Sequence, residues 1–199
     1  MVALPREKPV RGMGLGRVVR VTYRYIRPLS VLYARALGPY EQSTPEAWAT
    51  MARWLDQHNA RRLVKRAYGF MRDNPRHTSP ELMRYDACIG LVGDLDAEPA
   101  AGVGRQILPG GAYAVHTHVG PYDCMGEVLS KMHTNVVEKR GLSVDYDRPF
   151  MTIYLNDPAL TREMHRRTEL CVPVIPIRMP LSSNDDMEDS GTEFEAAAG

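Results

Sequence analysis

The sequence predicts an α+β fold: two pseudo-two-fold-related strand–helix–strand–strand repeats forming antiparallel sheets with a central ligand cleft. Three recurrences predict it. Gly38-Pro39-Tyr40 returns as Gly120-Pro121-Tyr122, 82 positions on; Asp73-Asn74-Pro75 returns with its first two residues exchanged as Asn156-Asp157-Pro158, 83 on. Asp86-Ala87-Cys88 returns as Glu169-Leu170-Cys171, again 83 on. A unit of this length, present twice, is too long for a solenoid repeat and too few for a propeller. Two similar halves packed about an axis are what remain.

The elements follow in order. Val31 to Leu37 leans towards strand and closes on the Gly38-Pro39 turn. Ser43 or Thr44 then caps a helix with Pro45 in its first turn. Trp48, Met51, Ala52 and Leu55 give that helix a buried stripe and leave Trp54 half exposed. Arg66 to Arg72 and Leu82 to Val92 read as strands. The second half opens with Val103 to Leu108, the Pro109-Gly110-Gly111 turn and a strand over Tyr113–Val119. Asp123 caps a helix bearing Met125, Val128, Leu129, Met132 and Val136, which Gly141 stops. Phe150–Leu155 and Arg167–Val174 complete the half. One extra strand belongs at 20–26 or at 103–108, and helices between antiparallel strands give two sheets, each with a helix on one face.

Hydrophobic residues are 44% and charged residues 25% of 199, the balance of a soluble globular chain. No apolar run is long enough to span a membrane or to serve as a signal peptide. Three cysteines without metal spacing fit free thiols in a reducing cytoplasm. The charge is polarised. Residues 1–20 hold Arg6, Lys8, Arg11, Arg17 and Arg20 against Glu7, whereas 182–199 hold Asp185, Asp186, Glu188, Asp189, Glu193 and Glu195. Both ends are too poor in apolar residues to fold. This divides the chain into a basic arm (1–20), a folded domain (21–181, with repeats at about 25–95 and 103–177) and an acidic tail (182–199). The folded part is only mildly basic, unlike a DNA-binding module.

The runs Leu37-Gly38-Pro39-Tyr40 with Trp48, Met71–Pro75, Ser79–Val92, Ile107–Tyr122, Tyr154–Pro158 and Arg166–Val174 together resemble the GyrI-like small-molecule-binding domain. That domain is the effector-binding module of AraC-type and related multidrug-responsive bacterial regulators, and it also occurs alone. The resemblance spans about residues 25–177. It implies a cleft at the pseudo-two-fold axis for lipophilic, often cationic or aromatic compounds, with the family's glutamate at Glu169 and its strand-end tyrosine at Tyr154. The roughly 25 residues ahead of it are too few for the helix-turn-helix module of the regulators, so no direct DNA binding is expected.

Alternation along strands places Arg167, Glu169 and Cys171 on one face, and Arg84, Asp86 and Cys88 on the equivalent face. Glu169 therefore points to the cleft, and Asp86 is its counterpart in the first repeat. A carboxylate in an apolar cleft rises in pKa unless a cation restores its charge. Such a group suits a cationic ligand helped by aromatic faces, or general acid–base work on a strained electrophile. The bland alternative is a salt bridge from Glu169 to Arg167 or Arg84, and for Asp86 a bond to backbone or Arg84.

The candidate ligand set is Glu169, Tyr154, Tyr33, Tyr113 and Trp48, with Glu169 and Tyr154 as catalytic candidates. Tyr68 and Tyr85 are further wall candidates. His116 and His118 form an H-x-H without a supported third ligand, so neither metal nor cofactor is assigned. The readings are a standalone binder of a small lipophilic or cationic molecule, for sensing, sequestration or resistance; a hydrolase of cyclopropanoid or similar electrophiles in the same cleft; or a gyrase-inhibitor-like modulator whose partner is a topoisomerase or a separate regulator. Sheet edges of such halves are able to pair in a homodimer.

Overall fold

A computed structural model describes residues 19–92, 102–135 and 141–176. The predicted basic arm, the acidic tail and Val136 lie outside these residues, apart from Val19 and Arg20. The strands are β1 (Thr22–Ile26), β2 (Leu29–Leu37), β3 (Val64–Met71), β4 (Arg84–Leu91), β5 (Val103–Leu108), β6 (Gly111–Val119), β7 (Leu142–Val144), β8 (Phe150–Tyr154) and β9 (Arg167–Pro176). The helices are α1 (Tyr40–Gln57) and α2 (Met125–Asn135). No helix among the described residues is long and apolar enough to cross a membrane.

The two expected sheets are joined into one. Its order is β1-β6-β9-β8-β3-β4-β2-β5, with β7 pairing β9 off this path. The order reads the same from either end once repeat equivalents are exchanged: β1 for β5, β6 for β2, β9 for β4 and β8 for β3. At the centre Gly69 pairs with Thr152, and these two are themselves equivalents, 83 apart. The pseudo-two-fold axis passes through this pair. Both extra strands exist, one at each end of the sheet, because symmetry demands two.

The short links bend the sheet. Ile26 pairs with Gly111 on β6, yet Leu29, three residues later, pairs with Leu108 on β5 at the other end. Three extended steps span no more than about 11 Å. The sheet must therefore curl until its ends meet. Its inner face holds Val31, Phe70, Cys88, Leu108, Tyr113, Val115, Met151 and Cys171 in one core contributed by both repeats. The outer face carries the helices, each on its own half. Ala47, Met51, Trp54 and Leu55 pack on Leu32, Ala34, Ala36, Ala87 and Ile89; Leu129 and Met132 pack on Ala114, Leu170, Val172 and Val174.

Helix α1 departs from its expected start and face. It begins at Tyr40, directly after the turn in which Gly38 takes φ +122°, and Pro45 lies inside it. Ser43 does not cap; its hydroxyl bonds back to the Pro39 carbonyl at 3.1 Å. The buried stripe is Ala47, Met51, Trp54 and Leu55, a register in which Trp54 is 1% exposed and Trp48 is only half-buried. Both stripes satisfy helical spacing, and the observed one packs Trp54 against the sheet. Strand β7 was not anticipated, since three residues leave too short a pattern to read.

Candidate functional site

Alternation in β9 sends Glu169 and Cys171 to the inner face and Thr168, Leu170 and Val172 to the helix side, as the clusters show. Glu169 lines a cleft of about 470 Å³ on the inner face. Its walls are mixed: Ile26, Leu29, Leu108, Met151, Ile153 and Leu155 are apolar and stand beside the Tyr68 ring. Burial raises the Tyr68 phenol pKa, against the pull of nearby Arg66. Three arginines, Arg24, Arg27 and Arg66, also line the cleft. Arg24 Nη2 donates to Glu169 Oε2 at 2.6 Å. This replaces the expected partners Arg167 and Arg84, because the edge strand β1 lies across β6 from β9. Arg84 instead grips Asp73, through Nη2 to Oδ1 at 2.7 Å.

Asp86 has a different life at the equivalent position. It is fully buried. Arg35 donates through Nε at 2.6 Å and Nη2 at 2.9 Å, one to each carboxylate oxygen. Arg72 Nε adds 2.7 Å and Gln106 Nε2 adds 3.2 Å, both to Oδ2. Burial pushes this carboxyl up, but the Arg35 and Arg72 guanidiniums outweigh it and hold the pKa below the usual aspartate value. Its expected bond to Arg84 is not formed. Asp86 is thus a locked joint between β2, β3, β4 and β5.

The structure divides the sequence-predicted set between two faces of the sheet. Tyr33 and Tyr113 share the inner face with Glu169, but neither is among the residues lining the cleft. Tyr113 is fully buried under the Arg148 guanidinium, 4.9 Å from its ring centre. Tyr33 covers Gly104, where a Cβ would lie 2.8 Å from its ring. Tyr154 and Trp48 lie on the helix side, away from Glu169. They meet each other edge-to-face at 5.5 Å. The strand ends at Tyr154, and alternation from Ile153 on the inner face dictates this placement.

That helix-side group includes residues sequence reasoning passed over or assigned to a wall. Trp48 Nε1 donates to Tyr85 Oη at 3.2 Å, and Tyr85 Oη lies 3.2 Å from Tyr154 Oη. Tyr122 meets Tyr154 at 5.5 Å and has Arg166 over its ring at 4.9 Å. Burial, and next the Tyr154 phenol, push the Tyr85 pKa well up. The group sits over the axis because Gly69 has no side chain: a Cβ there would collide with the Tyr85 hydroxyl and lie 2.6 Å from Thr152 Oγ1. The repeated Gly-Pro-Tyr was the available signal for Tyr122. Arg24 and Ile26, at two-residue spacing in 20–26, were the signal for the cleft edge.

His116 and His118 share the helix-side face of β6, but each ring bonds a carbonyl: His116 Nδ1 to Arg20 O at 2.7 Å, His118 Nε2 to Pro121 O at 2.9 Å. Among the described residues no three of His, Cys, Asp and Glu are grouped to hold a metal ion. Cys88 and Cys171 are buried free thiols of the inner core, and burial pushes Cys88 up to about 12.

Comparison with known proteins gives a consistent picture. Residues 20–175 match the family described as the GyrI-like small molecule binding domain. The DNA gyrase inhibitor of Cronobacter turicensis is 28% identical over 143 residues, covering 69% of this chain and 85% of that protein. A SPbeta prophage-derived putative transcriptional regulator of Bacillus subtilis, YosT, is 29% identical over 132 residues, 62% and 84% of the two chains. Among solved structures, the EcmrR C-terminal domain superposes with a TM-score of 0.63 at 14% identity, covering 80% of this chain and 99% of that one. A hydrolase from Listeria innocua superposes at 0.55 and 16% identity, covering 78% and 92%. At these identities the two superpositions speak for the fold alone.

Proposed function

Because the chain belongs to the GyrI-like small molecule binding domain family, we propose that it binds a small lipophilic or aromatic molecule in the inner-face cleft beside Glu169. The observation that carries this reading is the cleft itself. About 470 Å³ lies within the range of sites for small organic ligands, and an apolar wall with a few convergent polar groups is their usual lining. Burying the ligand's apolar surface against Ile26, Leu29, Met151 and Ile153 supplies the affinity, at about 25 cal/mol per Å² before ordering costs. Tyr68 adds an aromatic face with a polar tip.

Glu169, the one carboxylate among the cleft-lining residues, is held by Arg24 at 2.6 Å. A cationic ligand would have to take Arg24's place on this carboxylate. Since the Arg24 side chain is 45% exposed, that exchange is not costly, but Arg27 and Arg66 oppose it. A general acid–base reaction shared by Glu169 and Tyr154 gains no support, because the two lie on opposite faces of the sheet. Sensing or sequestration of the ligand is the role most in keeping with a cleft whose carboxylate is already paired.

The test is a thermal-shift and fluorescence screen of lipophilic compounds against the protein and its Ile153→Trp variant, which fills the cleft. A ligand at about a hundred times its Kd adds about 2.7 kcal/mol of stability, a readily visible shift. Hits that vanish in the variant support the reading; a protein that no lipophilic compound stabilises overturns it. The resemblance to proteins named DNA gyrase inhibitor adds a second measurement, gyrase supercoiling with the protein present. Inhibition that persists in Ile153→Trp would favour a protein-partner role independent of the cleft.

A further inference from the structure

We infer that the ligand of this cleft is an amphipathic anion, an apolar or aromatic body carrying a carboxylate or similar head, and that Arg66 with Arg27 receives that head. This deepens the reading above and rests on it. The charged groups lining the cleft are three arginines and one glutamate. Arg24 and Glu169 neutralise one another at 2.6 Å. Arg27 and Arg66 pair with no carboxylate among the described residues. Two guanidiniums therefore line the cleft without a carboxylate partner of their own.

The two differ in setting. Arg66 stands on β3 in step with Tyr68 and Phe70, so alternation turns it inward, and it is half-buried. Arg27 lies exposed in the link between β1 and β2. A guanidinium next to low-dielectric walls binds a carboxylate by two parallel N–H donors, more strongly than it would in open water. The apolar residues Ile26, Leu29, Leu108, Met151 and Ile153 remain to take the body of the molecule. Neutral compounds can use those walls but leave the arginines unanswered, and cations meet repulsion from both.

Three probes of one shape separate the cases: pyrenebutyrate, pyrenebutyramide and pyrenebutyltrimethylammonium, titrated by fluorescence at low and at 0.5 M salt, the higher shortening the Debye length to roughly 4 Å. The expected order is acid first, about tenfold tighter than the amide, with the cation weakest and the acid's advantage reduced by salt. Arg66→Gln lowers acid affinity several-fold and leaves the amide unchanged. Glu169→Gln releases Arg24 and leaves acid affinity equal or higher. If amide or cation binds as tightly as the acid, or if Arg66→Gln weakens all three alike, the anion assignment is wrong while the cleft stands, provided Ile153→Trp still abolishes binding. If no probe binds, or binding ignores Ile153→Trp, the cleft reading falls and this inference with it.

Discussion

Asp86 and Glu169 occupy the same place in two copies of one repeat, and their surroundings have diverged. Around Asp86, Arg35 on β2, Arg72 after β3 and Gln106 on β5 fill every side of the carboxylate. The equivalents around Glu169 are Thr117, Leu155 and Arg24. Thr117 pairs in register with Glu169 just as Arg35 pairs with Asp86. Where the first half has two arginines and a glutamine, the second has a threonine, a leucine and an arginine. The first half keeps a closed ionic joint; the second has a single exposed ion pair beside a cleft. The repeat supplies the symmetrical frame, and the cleft lies on the side where the carboxylate has one guanidinium rather than two.

The largest expected effect lies on the closed side. Asp86→Ala leaves Arg35 and Arg72 without their buried partner, and such a change costs about 3–5 kcal/mol, measurable by urea unfolding. The pH dependence has the same origin. Asp86's folded pKa is depressed, so its contribution is complete above its unfolded value near 3.9 and is lost as pH falls through the folded value. The stability gap between the protein and Asp86→Asn therefore narrows below about pH 4. A gap that stayed constant there would mean that the arginines do not hold the ionised form. On the open side, Glu169→Gln costs under about 1 kcal/mol, since its one partner, Arg24, is 45% exposed. Equal losses at the two sites would erase the contrast.

Much of this frame is legible from residues alone. The recurrence of Gly-Pro-Tyr and of the acid–apolar–cysteine triplet fixes the repeat, and period-two alternation turns Asp86 and Glu169 inward. What strands do to one another is not written locally. Arg24 reaches Glu169 across 145 residues of sequence, through a sheet end that only the β1–β2 link reveals. The same limit explains Trp48 and Trp54: both fit a helical stripe, and the shape of the sheet beneath decides between them. Tyr154 left the predicted cleft because its motif gave a residue type without a face. Counting from Ile153 supplies the face once the strand's neighbours are known.

The most direct measurement rebuilds the closed joint in the open half. The Thr117→Arg/Leu155→Arg double variant places guanidiniums at the two positions around Glu169 that Arg35 and Arg72 hold around Asp86. Binding of the neutral probe pyrenebutyramide is compared with that of the unaltered protein, which removes charge from the comparison. The account predicts a folded protein that no longer binds the probe. A folded double variant that binds it undiminished would show that the space beside Glu169 is not where the ligand sits.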